Sequence, residues 1–224
     1  LDTSLNGTCK VTTPIGSSDD SGRSAAMQSE GKIVVAGDTR KVNIYDFALV
    51  RYTTTGALDT SFNGTGKVTT SIGGHDQGYS VAVQSDGKIV VAGYANKDTL
   101  DGFALVRYTA TGALDNSFGA GGKVYTSAGD GRSVAVQSDG KIVVAGSSYT
   151  ASDNDTAVVR YAATGALHPS FGAGTGKVTT PIGFGSDVGQ SVAVQSDGKI
   201  AVAGTSWNGS NDDIAVVRYT ATGA

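Results

Sequence analysis

Val81-Ala-Val-Gln-Ser-Asp-Gly-Lys-Ile-Val-Val-Ala-Gly93 is the stretch from which the rest of the chain can be read. An Asp-Gly pair between two short apolar runs calls for backbone at positive φ and is the strongest short-range signal of a β-hairpin. Tyr79 to Gln84 is one arm of that hairpin and Lys88 to Ala92 the other. The second arm, with Ile89, Val90, Val91 and Ala92, is apolar on both faces, and so is Phe103 to Tyr108 beyond it. Strands of that kind need neighbours on both sides. Upstream, Lys67 to Ile72 alternates Val, Thr and Ile with Lys, Thr and Ser, the period of a half-exposed strand.

The same order of pieces is written four times, over 1–57, 58–113, 114–166 and 167–224, with starts at Leu1, Leu58, Leu114 and Leu167. Each copy carries Gly-Lys-Val, Gln-Ser-(Asp/Glu)-Gly-Lys-Ile and Val-Arg-Tyr. The first copy departs at Cys9, where the others have Gly66, Gly122 and Gly176, and at Ser24 to Gln28 and Glu30. Self-similarity at this period marks a repeat architecture in which each unit buries its apolar faces against the next. Four strands per copy, an inner pair apolar on both faces and one polar strand, compose a propeller blade. The expected fold is therefore all-β: a β-propeller of four repeats in one unit over 1–224, with four antiparallel strands per blade. Tyr79 to Gln84 is expected innermost and the Lys67 to Ile72 type at the rim, where Thr and Lys discourage edge pairing. The chain opens on an outer-strand sequence, Lys10 to Ile15, and its last strand sequence is of the third kind, Ile214 to Tyr219. The N-terminal strand is thus expected to close the last blade; half of an eight-bladed ring, or part of a longer array, fits the same phase.

Gly, at 33 residues, is the main punctuation and Pro is scarce at 3, which suits short strands joined by tight turns. With 17 basic and 20 acidic residues the net charge is -3, so solubility is favoured and no nucleic-acid footprint is expected. No apolar run reaches the length of a membrane span, and no membrane insertion is expected. Cys9 alone makes no internal disulfide. The start at Leu1, without a signal-like segment, is read as a processed or excised piece of a longer product.

Val81 to Gly93, the run Gly102 to Tyr108 and Leu114-Asp115-Asn116-Ser117-Phe118-Gly119 resemble the bacterial delta-60 repeat, itself similar to NHL-type propeller blades. The resemblance covers essentially the whole chain. It implies a propeller-like module of large secreted or surface-attached bacterial proteins, extracellular or at the cell surface, with no general enzymatic activity attached.

From the repeat glycines Gly37, Gly93, Gly146 and Gly204 to the repeat arginines the distance is always 14 residues, yet the content between them changes completely. Asp38 to Tyr45, Asn96 to Asp101, Ser148 to Asp155 and Trp207 to Asp213 share almost nothing. A fixed scaffold with variable loops on one face is where binding specificity would be placed, and drift on a tolerant surface gives the same picture. The candidate ligand-binding residues there are Trp207, Asn208, Asn211, Asp212 and Tyr149. Arg51, Arg107, Arg160 and Arg218 read as blade-stapling ion-pair partners, either of the hairpin aspartates Asp86, Asp139 and Asp197 or of Asp59 and Asp115 in the Leu-Asp connection. A ring of arginines holding an anion is the less economical alternative.

Acidic clusters at Asp19-Asp20, Asp153 to Asp155 and Asn211 to Asp213 match no ordered calcium loop, and His75 and His168 are isolated, so no metal and no cofactor is expected. One glutamate, Glu30, and no recurring nucleophile, base and acid argue against an enzyme. A non-enzymatic scaffold, adhesion or display module is expected. A carbohydrate-binding, lectin-like propeller is the alternative and an aspartate-dependent glycoside hydrolase a remote one. The expected partners are a protein or glycan on the variable face, and further copies of the chain.

Overall fold

The structure is a computed structural model that describes residues 3–98, 100–127, 129–150 and 153–224. Leu1, on which the first copy begins, and parts of the variable stretches 96–101 and 148–155 lie outside the described residues. Among them all regular structure is strand, in four antiparallel sheets that follow the four copies. Blade 1 holds β1 (Asp20–Met27), β2 (Ile33–Lys41), β3 (Ile44–Tyr52) and β4 (Lys67–Thr70) in that spatial order. Blade 2 holds β5 (Asp76–Val83), β6 (Ile89–Lys97), β7 (Leu100–Tyr108) and β8 (Lys123–Ser127). Blade 3 holds β9 (Asp130–Val136), β10 (Ile142–Tyr149), β11 (Asn154–Tyr161) and β12 (Lys177–Thr180). Blade 4 has three strands, β13 (Asp187–Val194), β14 (Ile200–Trp207) and β15 (Asp212–Tyr219). No helix among the described residues is long and apolar enough to cross a membrane.

The first two strands of each blade are joined by the Ser-Asp-Gly turn or its Ser-Glu-Gly form. In blade 2, Gly87 at φ +80° lets its N–H reach Gln84 O at 2.9 Å while Gln84 N–H donates to Lys88 O at 2.8 Å. A side chain at that φ would be strained, so the turn selects glycine. The first strands lie side by side from blade to blade, β1 on β5, β5 on β9 and β9 on β13. The Lys-Val strands β4, β8 and β12 sit at the opposite, outer edge, as the alternation implies.

Blades join by knobs and sockets. Val34, Ala36, Phe47 and Leu49 of blade 1 enter a cup on blade 2 made of Val81, Val91, Val106, Tyr108 and Phe62, and every one of these is buried. Blade 2 offers Phe103 and Leu105 to Val134, Val144, Val159 and Phe118 on the blade 3 side; blade 3 offers Val143 and Val158 to Val202, Tyr219 and Phe171. This is why the second and third strands are apolar on both faces: one face is knob, the other socket. Burying a Phe or Leu side chain of this kind stabilises by about 1.5–3 kcal/mol.

The expected fourth strand of the last blade is not formed. Lys10 to Ile15 belongs to no strand, and β15 is hydrogen-bonded to β14 alone. The segment is held instead on blade 1, where Tyr52 donates its hydroxyl to Thr13 Oγ1 at 2.8 Å and Leu5 packs against Gly56. Tyr108 with Thr70, Tyr161 with Thr126 and Tyr219 with Thr180 make the same hydroxyl contact at 2.7, 3.0 and 2.8 Å.

Candidate functional site

The Val-Arg-Tyr arginines are staples between blades. Arg107 Nε donates to Asp115 Oδ2 at 2.8 Å, Nη2 to Ser117 Oγ at 3.2 Å and Nη1 across the interface to Ala163 O of blade 3 at 2.5 Å. Its guanidinium lies 4.5 Å over the Phe118 ring. Arg51 repeats the set with Ser61, Ala110 O and Phe62; its Nε is 2.8 Å from Asp59 Oδ2, an ion pair angled off a hydrogen bond. At the arginine of the third copy, Arg160, His168 of the following connection stands where aspartate is expected. Its Nδ1 accepts from Arg160 Nη2 at 3.4 Å and leaves Arg160 Nε unpaired. Burial, then the charges of Arg160 and Lys141, hold that imidazole below its usual range. Arg218, exposed on blade 4, has no partner among the described residues.

The hairpin aspartates are a correction. Asp86, Asp139 and Asp197 do not meet the arginines; each pairs with the lysine two residues on, Lys88, Lys141 and Lys199. The turn is tight enough that the carboxylate also accepts the lysine's own N–H, at 3.2, 3.2 and 3.1 Å, and nothing is left to reach the arginine. Asp59 and Asp115 hold the arginine sites because the bridges Tyr52 to Leu58 and Tyr108 to Leu114 fold the connection back beside the third strand.

Ser61, then Lys32 and Arg51, outweigh burial and bring the Asp59 carboxyl down to about 2 from 3.8. A carboxyl lowered by folding adds stability above its unfolded pKa and loses it as pH falls toward the folded one. The unfolding midpoint should therefore fall between pH 4 and pH 2, and Asp59→Asn should flatten its share of that slope. Thermal melts of both proteins across that range check it; parallel profiles would refute it.

The variable stretches prove to be arms rather than loops. β2 and β3 stay paired out to Lys41 opposite Ile44, β6 and β7 to Lys97 opposite Leu100, β10 and β11 to Tyr149 opposite Asn154, β14 and β15 to Trp207 opposite Asp212. Their side chains are cross-strand pairs on projecting hairpins, beside the loops that enter the first strands. Trp207 and Asp212 face each other and are exposed. Asn208 is spent inside its own turn: Nδ2 donates to Asn211 Oδ1 at 2.6 Å and Asp213 Oδ2 at 2.8 Å, while Oδ1 accepts the N–H of Ser210 and of Asn211. Tyr149 stands apart on blade 3. Burial, then the negative Asp130 and Asp101, hold its phenol above the ordinary value, with Arg132 opposing. The five candidate ligand residues thus divide into a blade 4 hairpin and one tyrosine facing blades 2 and 3.

A row of residues that the sequence reading passed over lies between these groups. Each first strand carries a β-bulge at Gly-x-Ser: Gly22 and Ser24 keep register with β2, and the same slip recurs at Gly78 and Ser80, Gly131 and Ser133, Gly189 and Ser191. A bulge re-aims the extra residue. The displaced side chains, Arg23, Tyr79, Arg132 and Gln190, are exposed or half-buried. Arg23 Nε donates to the buried Asp38 at 2.5 Å and its guanidinium lies 5.1 Å over the Tyr79 ring. Arg132 Nε donates to Asp130 at 2.9 Å, and Asp130 also accepts from Ser147 Oγ at 2.6 Å. Tyr94 donates to Asp101 at 2.7 Å nearby. Both arginines are neutralised by their carboxylates, so the row offers polar donors and aromatic faces without net charge. The signal that marks it is a variable residue inside a constant Gly-x-Ser. Among the described residues no group of three or more His, Cys, Asp or Glu is placed to hold a metal ion.

Four like sheets, stacked through one repeated interface with their first strands along one side, define a repeat protein of the β-propeller class. Residues 28–62, 84–118, 137–171 and 195–224, more than half of the chain, match the family described as "Domain of unknown function (DUF5122) beta-propeller", and the chain belongs to that family. The matched stretches run from the hairpin turn through the staple arginine to the connection, and leave out the bulge row and the outer strands. No curated protein matches the chain.

Proposed function

We propose that the chain is a non-enzymatic scaffold, adhesion or display module, of delta-60 type, in a secreted or surface-attached bacterial protein. Its blades belong to a propeller ring in which the Lys10 to Ile15 segment supplies the fourth strand of a last blade. The observation that carries this reading is the division of labour between residues. The charged groups buried at blade junctions are spent on the next blade, as Arg107 is on Ala163 O, while the variable residues sit on hairpin arms and bulges outside the buried apolar knobs and sockets, where they meet across a junction only at the surface, as Arg23 does with Tyr79 and Tyr45 with His75. Two of the most buried carboxylates, which a hydrolase would need free, are taken up locally. Asp76 accepts the N–H groups of Ile72 and Gly73, and Asp187 those of Ile182 and Gly183. Replacing 208–211 by a Gly-Ser turn should leave stability within about 0.5 kcal/mol, measured by urea unfolding.

A lectin-like role is the second reading, favoured by the neutral polar and aromatic row of Arg23, Tyr79 and Arg132 beside Tyr149. A glycan array silent with the intact chain is the outcome expected for a scaffold. Glycan binding lost on Trp207→Ala or Tyr149→Ala would replace the scaffold reading with the lectin, and glycoside turnover lost on single Asp→Asn changes would replace both.

A further inference from the structure

Blade 4 presents a knob face that no other described residue covers. Ile214 and Val216 stand where Phe47 and Leu49 stand in blade 1, and are 91% and 70% exposed where those two are 0%. Arg218, the fourth staple, has no neighbouring carbonyl, and the outer edge of β15 is unpaired among the described residues. At the other end blade 1 presents the matching socket. Val11, Gly22, Val35, Val50 and Tyr52 line an open cavity of about 360 Å³ where, one blade on, the corresponding Val68, Gly78, Val91, Val106 and Tyr108 receive Phe47 and Leu49. Ala25 is exposed where Val81, its counterpart, is buried.

We propose that this chain associates head to tail with a second copy of itself, the blade 4 knobs of one molecule entering the blade 1 socket of the next. The inference rests on the scaffold reading above and assigns its self-association to named surfaces. The three junctions inside the chain are the same interface repeated and show what each face takes, a blade of this repeat, which a second copy supplies. The donated strand is already in place. Thr13 is held on Tyr52 as Thr70 is on Tyr108, so residues 10–13 lie docked on their own blade with their pairing edge unused. The register follows from β3 and β4, where Phe47 faces Thr70 and Leu49 faces Val68: Ile214 will face Thr13, Ala215 Thr12 and Val216 Val11 of the second copy. The first strands supply a further link. Val81, Val134 and Val192 N–H donate to Ser24, Ser80 and Ser133 Oγ at 3.2, 3.1 and 3.1 Å, and Ser191 will accept Ala25 N–H of the next molecule. Because the two patches differ, the contact is heterologous and builds a ring or a filament.

Sedimentation of the 224-residue chain tests this. The expected result is multiples of 22.5 kDa whose share grows with concentration. Ile214→Glu and Ala25→Glu alter exposed positions and should each leave a folded single chain. An equimolar mixture of the two keeps one intact junction and should give a species of two chains. Thr12→Cys with Ala215→Cys, on a Cys9→Ser background, should oxidise to a ladder of linked chains. A single chain at 100 μM, a mixture that stays single, or a disulfide closed within one chain would each overturn the proposal. Glycan binding or turnover would sink the scaffold reading and leave these masses unchanged, so the two can fail separately.

Discussion

Gly93→Ala should lower folding stability by about 3 kcal/mol, at the upper end for an overpacked interior. The expected size comes from what the methyl group meets. A Cβ built on Gly93 falls 1.9 Å from Gln77 O, and the same construction at Gly37, Gly146 and Gly204 falls 1.7 to 1.8 Å from Ser21, Asp130 and Val188 O. These atoms are backbone of the bulged first strand, paired across the sheet, so relief requires opening the bulge itself. Gly93 is not at positive φ, which makes the penalty steric rather than conformational. Gly74→Ala is the control, since its Cβ would meet nothing nearer than 3.5 Å. Urea unfolding midpoints of the two variants should differ severalfold in their shift; equal shifts would show that the bulge yields easily.

Arg107→Met should cost about 3–5 kcal/mol, the range for removing one partner of a buried ion pair. Arg107 and Asp115 are 5% and 7% exposed, and the change strands the carboxylate and the Ala163 carbonyl together. The other copies grade the effect. Arg160→Met should cost less, because His168 offers it only a weak contact, and Arg218→Met should stay within about 0.5 kcal/mol. His168→Asp, which would give Arg160 Nε its missing partner, should raise the midpoint. Denaturant unfolding of the four variants reads the order directly, and a large cost at Arg218 would contradict the staple.

Much of the blade is legible in the chain because its signals are local. Asp86-Gly87 fixes a hairpin by its own φ requirement, and the two-faced greasiness of Ile89 to Ala92 states that a neighbour lies on each side. The arginine partner is not local in that sense. Arg107 and Asp115 are eight residues apart along the chain and meet only because Tyr108 bridges Leu114, whereas Asp86 looks equally available until Lys88 is seen folded onto it. The candidate ligand residues fared less evenly. Asn208 carries the chemistry of a ligand contact, but its amide is consumed by its own turn, and no pattern in the sequence distinguishes those uses. The bulge row was written plainly as Gly-x-Ser, yet a variable residue in a repeat reads as noise unless the glycine opposite is known to forbid a side chain.

The extra residue in each bulge belongs to neither the knob nor the socket of its blade. Gln190 and its counterparts Arg23, Tyr79 and Arg132 can therefore vary without repacking the apolar part of a junction, and what a change costs is the local pairing of Arg23 with Asp38 and Tyr79 and of Arg132 with Asp130. The protein separates what keeps it folded from what it shows along its row of first strands, and that row can change one position at a time.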